Sequence, residues 1–224
     1  MTESLIKTGS ALLTDPSRIC RSSIAINEGL REKKPIVIRN YLFDHYMAAL
    51  SDELDTVVDL WDRSSSGDIL QINHSGDCSR TPYSHMFSNL QNEVCDFLSR
   101  TVKRTLISTS NIVYKISSDT GSPDSWSVFN KEDIYYWQYY LCTPLEPNDG
   151  GQLEYIKDFR KVNDRYNVNR YEIDYQLVPS MNTMVILKCG DMGGLRVKPV
   201  EVDNKEVIIF EGFFHSVDNI PVST

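Results

Sequence analysis

Ile134-Tyr135-Tyr136-Trp137-Gln138-Tyr139-Tyr140-Leu141 opens the stretch that decides the fold, which continues to His215. This aromatic run mixes apolar and polar positions and stops at the turn-forming Pro144-Leu145-Glu146-Pro147-Asn148-Asp149-Gly150-Gly151. Gln152 to Ile156 is a second short strand. Tyr171 to Val178 alternates until Pro179-Ser180 breaks it. Thr183-Met184-Val185-Ile186-Leu187 is continuously apolar, as a strand buried on both faces would be. Leu195 to Val202 and Val207 to Phe214 close the series. Short strands at this spacing, punctuated by Gly, Pro, Asn and Asp, predict a sandwich or barrel.

Working outward, Thr2 to Arg31 is weakly patterned and reads as short helix and loop, while Lys34 to Asn40 is β-branched and reads as a strand. Asp44 is a candidate N-cap, and Met47, Leu50, Leu54 and Val58 recur at helical spacing, which predicts a helix from 44 to about 60. The polar segment Arg63 to Tyr83 reads as a long loop with one short strand at Ile69 to Ile72. A second amphipathic helix is predicted from Ser84 to Lys103, its buried face marked by Met86, Leu90, Val94, Phe97, Leu98 and Val102. Asn111 to Ile116 is the next strand, and Ser117 to Lys131 is polar again. No repeat or low-complexity tract interrupts the chain. The expectation is one domain over 1–224, with 1–110 mostly helical support and loops and 111–215 the β core.

Composition narrows the partners. The net charge of −8 argues against nucleic acid, whose phosphates call for a basic surface. No apolar run approaches the ~20 residues that span a bilayer, and Met1 to Ser10 lacks the pattern of a signal peptide. Cys20, Cys78, Cys95, Cys142 and Cys189 are odd in number, scattered, and without CxxC spacing. They read as reduced thiols, so the expected compartment is cytoplasmic. Assembly into homo- or hetero-oligomers is left open.

Several fragments together resemble a known family. Tyr139-Tyr140-Leu141, then Gly150-Gly151-Gln152-Leu153, then Val178-Pro179, Met184 to Leu187, Arg196-Val197-Lys198-Pro199-Val200, and Lys205 before Val207 to Phe210 resemble, in order and spacing, the prolyl-hydroxylase-like 2-oxoglutarate and iron(II) dioxygenases. The resemblance covers roughly residues 34 to 214. It implies a mainly β (α+β) fold, a double-stranded β-helix or jelly roll flanked by the N-terminal helices. It also implies iron(II) held by an H-x-D pair and a second histidine that opens an H-x-V-x-P-V run. Here those positions read Ser122-Pro123-Asp124 and Leu195-Arg196-Val197-Lys198-Pro199-Val200, which leaves only Asp124 as a ligand. The four histidines are His45, His74, His85 and His215, and none falls between His85 and His215, where both family histidines belong. The expectation is therefore a lost iron site and no cofactor. Iron(II) with 2-oxoglutarate is the alternative, through ligands relocated to His74, His85 or His215.

The resemblance places Lys205 where the family grips the 2-oxoglutarate carboxylate, helped by a Tyr139 or Tyr140 hydroxyl; the bland reading of Lys205 is a hairpin-turn residue. Arg196 points into or out of the barrel according to the strand alternation. Tyr135 to Tyr140 line a pocket or simply pack. Cys142 and Cys189, with no histidine near in sequence, read as structural thiols. Gly193-Gly194 reads as a tight turn. Acid–base work, if there is any, falls to Asp124, Tyr139, Arg196 or Lys205, and cofactor contacts to Lys205 and Tyr140. Three readings follow: a non-catalytic dioxygenase-like pseudoenzyme that binds a small anionic or aromatic molecule or, as a scaffold, a partner protein; an enzyme of altered chemistry in specialised metabolism; and an iron oxygenase with relocated ligands.

Overall fold

The computed structural model describes residues 26–56, 62–63, 70–73, 84–119, 127–129, 134–156, 161–162, 165–166, 173–189 and 193–217. Three helices come first among the larger elements: α1 (26–32), α2 (Asp44–Thr56) and α3 (Ser84–Val102). The strands are β1 (Ile36–Arg39), β2 (Asp62–Arg63), β3 (Leu70–Asn73), β4 (Leu106–Ser117), β5 (Ser127–Phe129), β6 (Ile134–Cys142), β7 (Leu153–Ile156), β8 (Lys161–Val162), β9 (Arg165–Tyr166), β10 (Tyr175–Leu177), β11 (Thr183–Lys188), β12 (Gly193–Val197) and β13 (Glu206–Ser216).

Seven strands form a main sheet in the order β1-β11-β6-β13-β4-β3-β2, and four form a second in the order β10-β7-β12-β5; β8 and β9 pair by themselves. All of these pairings are antiparallel. This is the mainly β jelly roll that the strand spacing predicts, with N-terminal helices beside it. β1, β2 and β3 join the main sheet, so the part of the chain before residue 111 supplies strands as well as helical support.

Two cores flank the main sheet, and alternation along β6 divides its side chains between them. Tyr135, Trp137, Tyr139 and Leu141 pack with Ile26 and Leu30 of α1, Leu50 and Leu54 of α2, and Val94, Phe97 and Leu98 of α3. Tyr136, Tyr140 and Cys142 point the other way, into a core shared with Leu153 and Tyr155 of β7 and Leu195 and Val197 of β12. β11 divides similarly, with Met184 and Ile186 on the helix side and Val185 and Leu187 facing the second sheet. That is why its sequence shows no alternation.

The helix ends follow local rules. α3 stops where Lys103 adopts φ 56° and the Arg104 amide bonds the Ser99 carbonyl at 3.1 Å, a Schellman closure one residue short of the predicted end. α1 closes likewise, with Lys33 at φ 54° and the Lys34 amide on the Gly29 carbonyl at 2.9 Å. α2 begins with the Phe43 carbonyl accepting from the Tyr46 and Met47 amides, so Asp44 lies inside the first turn rather than at the cap. There its charge meets the positive end of the helix dipole. The expected end of α2 near residue 60 lies outside the described residues. Among the described residues no helix is long and apolar enough to cross a membrane.

Candidate functional site

β6, β13 and β4 lie side by side, and their faces toward the second sheet carry Tyr114 and Ile116, Tyr136, Tyr140 and Cys142, and Val207 and Ile209. The same alternation puts Gln138 and Glu211 on this face, directly opposite each other across β6 and β13. A carboxylate between two sheets is costly unless donors meet it. Glu211 Oε2 accepts from the Tyr114 hydroxyl at 3.1 Å, from Gln138 Nε2 at 3.0 Å, and from the Tyr136 hydroxyl. Gln138 is held in turn, because its Oε1 accepts from the Tyr140 hydroxyl at 2.5 Å. That bond fixes which end of the amide faces Glu211.

Burial pushes the Glu211 carboxyl above the usual carboxylate range, while its bonds from Tyr136, Gln138 and Tyr114 pull the other way. Burial raises the three phenols as well, with the charge of Glu211 adding to it, so they stay protonated and act as donors. A carboxyl raised on folding contributes stability that is complete below its unfolded pKa and lost as pH climbs through its folded one. Glu211→Gln keeps an acceptor for the phenols without the charge. It is expected to flatten this loss as pH rises above the usual carboxylate range, and to leave the protein more stable than wild type at alkaline pH. Urea denaturation at several pH values measures both; a variant that is less stable at every pH would show that the ionised carboxylate is the favoured form.

The positions singled out by the family resemblance separate. Leu195 is 2 % exposed and faces the interior with Val197. Arg196, between them, points out of the barrel. It lies opposite Glu154 in the β12–β7 register, and its Nε contacts Glu154 Oε2 at 2.6 Å. Lys198 Nζ and Gln176 Nε2 approach the other oxygen of Glu154 at 3.7 and 3.3 Å. Lys205 stands in the turn before β13 and pairs with Asp149 Oδ2 at 2.6 Å. This ion pair, together with the Glu146 amide, holds the Asp149 carboxyl below its usual range.

Tyr140 faces the barrel, but its hydroxyl serves Gln138 rather than a group shared with Lys205. Tyr139 faces the helices, is fully buried, and donates to Asn182 Oδ1 at 3.0 Å. Burial raises its phenol far above the ordinary value, so it is poorly suited to proton transfer. Asp124 and Ser122 lie outside the described residues, as does His74. His85 falls in the first turn of α3, His215 pairs with Ile134 and Ile107 on β13, and His45 packs its ring 4.2 Å from that of Tyr46. Cys142 and Cys189 are buried free thiols, and burial raises both, Cys142 to about 12.

The Gly-Gly and Val-x-Pro-Val fragments meet in space. Gly150 bridges Val200, the Gly151 amide bonds the Pro199 carbonyl at 2.9 Å, and the Lys198 amide bonds the Gln152 carbonyl at 2.8 Å. Their spacing in the sequence therefore reflects a backbone strap between β7 and β12. Of the interior quartet of Tyr114, Tyr136, Gln138 and Glu211, sequence singles out Tyr136 as a pocket-lining or packing aromatic, but neither Tyr114 nor Glu211. A single acidic residue on alternate register within Val207 to Phe214 was the carboxylate's one visible sign.

The donor set can be compared with what iron(II) requires. Leu195 offers no lone pair at the interior position on β12. Among the described residues no three His, Cys, Asp or Glu side chains converge. They do not make the two-histidine, one-carboxylate arrangement.

No family model and no curated protein sequence matches the chain. Solved structures do. A prolyl hydroxylase from Trichoplax adhaerens, in complex with a hypoxia inducible factor peptide fragment, superposes with a TM-score of 0.66 at 14% identity, over 89% of this chain and 91% of that one. A 2OG-Fe(II) oxygenase family oxidoreductase from Burkholderia pseudomallei gives 0.60 at 13% identity, covering 86% and 90%. A non-heme alpha ketoglutarate dependent epimerase from nogalamycin biosynthesis gives 0.62 at 8% identity, covering 90% and 82%. These matches correct the expectation that no cofactor goes with this chain: of the proteins sharing its architecture, one is described as a member of the 2OG-Fe(II) oxygenase family and one as a non-heme, alpha ketoglutarate dependent enzyme. The two facing sheets, the helices packed on the main one, and these superpositions together identify the chain as having the prolyl-hydroxylase-like fold of the 2-oxoglutarate/iron(II) oxygenases.

Proposed function

We propose that this protein is a 2-oxoglutarate/iron(II)-oxygenase-like member in which the usual iron position has been remodelled, and that the interior face of the barrel binds a small molecule. The observation that carries this reading is Leu195, a hydrocarbon side chain buried at the interior position on β12 where the family motif has its second histidine. The interior beside it is aromatic and hydrogen-bonded rather than metal-ligating, which suits a ligand with an apolar or aromatic body. The basic residues expected to attract an anion each face a carboxylate, Lys205 toward Asp149 and Arg196 toward Glu154, so an anionic ligand gains no support from them. Free thiols at Cys95, Cys142 and Cys189 fit a reducing, cytoplasmic setting.

Iron(II) and 2-oxoglutarate are the reference ligands because of the fold. Calorimetry of wild type, Leu195→His, and Ser122→His/Leu195→His with iron(II), with and without 2-oxoglutarate, tests the reading. Iron(II) is expected to bind more tightly to the double variant than to wild type or the single variant, with Asp124 as the carboxylate. Wild-type protein that binds iron(II) stoichiometrically would overturn the remodelled site. Tight binding in the single variant would show that Ser122 is not the missing position.

A further inference from the structure

We propose that the barrel interior recognises an organic cation, an ammonium group on an apolar or aromatic body, with Glu211 as its counter-charge. This rests on the reading that the barrel binds a small molecule, and it assigns that molecule a charge. Glu211 Oε2 accepts all three of the carboxylate's hydrogen bonds, from Tyr114, Tyr136 and Gln138. Among the described residues nothing donates to Oε1, and Glu211 is only half-buried. One oxygen is thus fixed while the other remains available, on a side chain whose position the network sets in advance.

The surroundings suit a cation. Aromatic rings from three adjacent strands flank the carboxylate: Tyr114 on β4, Tyr136 and Tyr140 on β6, and Phe213 on β13, whose ring centroid lies 4.9 Å from that of Tyr136. Ring faces attract ammonium groups, and a carboxylate among them adds a directed, charge-assisted bond. The basic residues at the rim do not compete for Glu211. Lys205 is held by Asp149, and Arg196 lies on the outer face of β12 against Glu154. Among the described residues no three His, Cys, Asp or Glu side chains gather around Glu211, so the cluster does not favour a metal ion over an ammonium group.

The probes are 2-phenylethylamine and 3-phenylpropionate, similar in size and opposite in charge. Their binding is measured at mildly alkaline pH by ligand-observed NMR and calorimetry against wild type, Glu211→Gln and Phe213→Ala. Wild type is expected to bind the amine in preference to the acid. Glu211→Gln is expected to weaken the amine by roughly tenfold or more and to weaken the acid not at all. Phe213→Ala, which removes one wall, is expected to weaken whichever probe binds. Amine binding of equal strength in wild type and Glu211→Gln would overturn the inference. So would a wild-type preference for the acid that Phe213→Ala abolishes, although that outcome would leave the barrel as a ligand site. Binding of neither probe, together with no binding of 2-oxoglutarate, would overturn both readings.

Discussion

Gly150→Ala is expected to destabilise the protein by about 3–5 kcal/mol, the largest effect of any single methyl group added to the strap. Gly150 has φ +83°, a region that L side chains rarely adopt, and a Cβ there would lie 1.8 Å from the Pro199 carbonyl oxygen and 2.9 Å from its carbon. Backbone cannot move aside as the end of a side chain can. Relief would pull apart the bonds from Gly151 to Pro199 and from the Glu201 amide to the Asp149 carbonyl, at 2.9 and 2.8 Å. Gly151, at φ +70°, meets first the flexible end of Leu145 at 2.9 Å, so Gly151→Ala is the milder companion. Urea denaturation of both variants measures the difference. If Gly150→Ala lies within about 1 kcal/mol of wild type, the strap does not approach as closely as described.

The second large effect is expected at Asn182. This residue sits at φ 61°, where asparagine is tolerated, just before β11. Its Oδ1 accepts from the Leu42 amide at 2.8 Å and from the Tyr139 hydroxyl at 3.0 Å, and its Nδ2 donates to the Leu42 carbonyl at 2.8 Å. Its own backbone bonds Tyr140 and Tyr41. One side chain therefore joins the segment before α2 to the turn before β11 and to β6. Asn182→Ala leaves three buried polar groups without partners, and a loss of about 2–4 kcal/mol is expected. Tyr139→Phe alone is expected to cost about 1 kcal/mol, and the double variant less than the sum, because both remove the same bond. Strict additivity would show that the Tyr139 hydroxyl serves something else.

How much of this was legible in the sequence depended on how local each signal was. The two long helices announced themselves through periodicity, because burial on a face repeats with the element's own geometry, and β6 and β11 through unbroken aromatic and apolar runs bounded by turn residues. The Gly-Gly and Val-Lys-Pro-Val fragments were legible as a pattern, but their contact was not, since it joins Gly150 to Val200. Orientation failed where two readings differed by one residue. Tyr139 and Tyr140 are neighbours with similar composition around them, yet one meets the helices and the other the second sheet. Leu195 and Arg196 divide in the same way. A one-residue step reverses the face, so only the pairing register decides. Glu211 was missed because a charged residue in a strand ordinarily faces water; three donors on two neighbouring strands are what allow it inside.

The place of β13 in the main sheet has a consequence for how the chain is made. It lies between β4 and β6, pairing with each along most of its length, although both precede it by many residues. β1 must likewise wait for β11, since Ile36 pairs with Ile186. On the ribosome, β2, β3 and β4 can pair with one another, but β1 and β6 have no sheet partner until residues 183 to 216 have emerged. Meanwhile the Tyr and Trp side chains of β6 stand uncovered. Such long-range closure makes for slow folding and a window in which the nascent chain is prone to aggregate, so yield from synthesis should respond to chaperone supply and to temperature more than the stability of the finished protein would suggest.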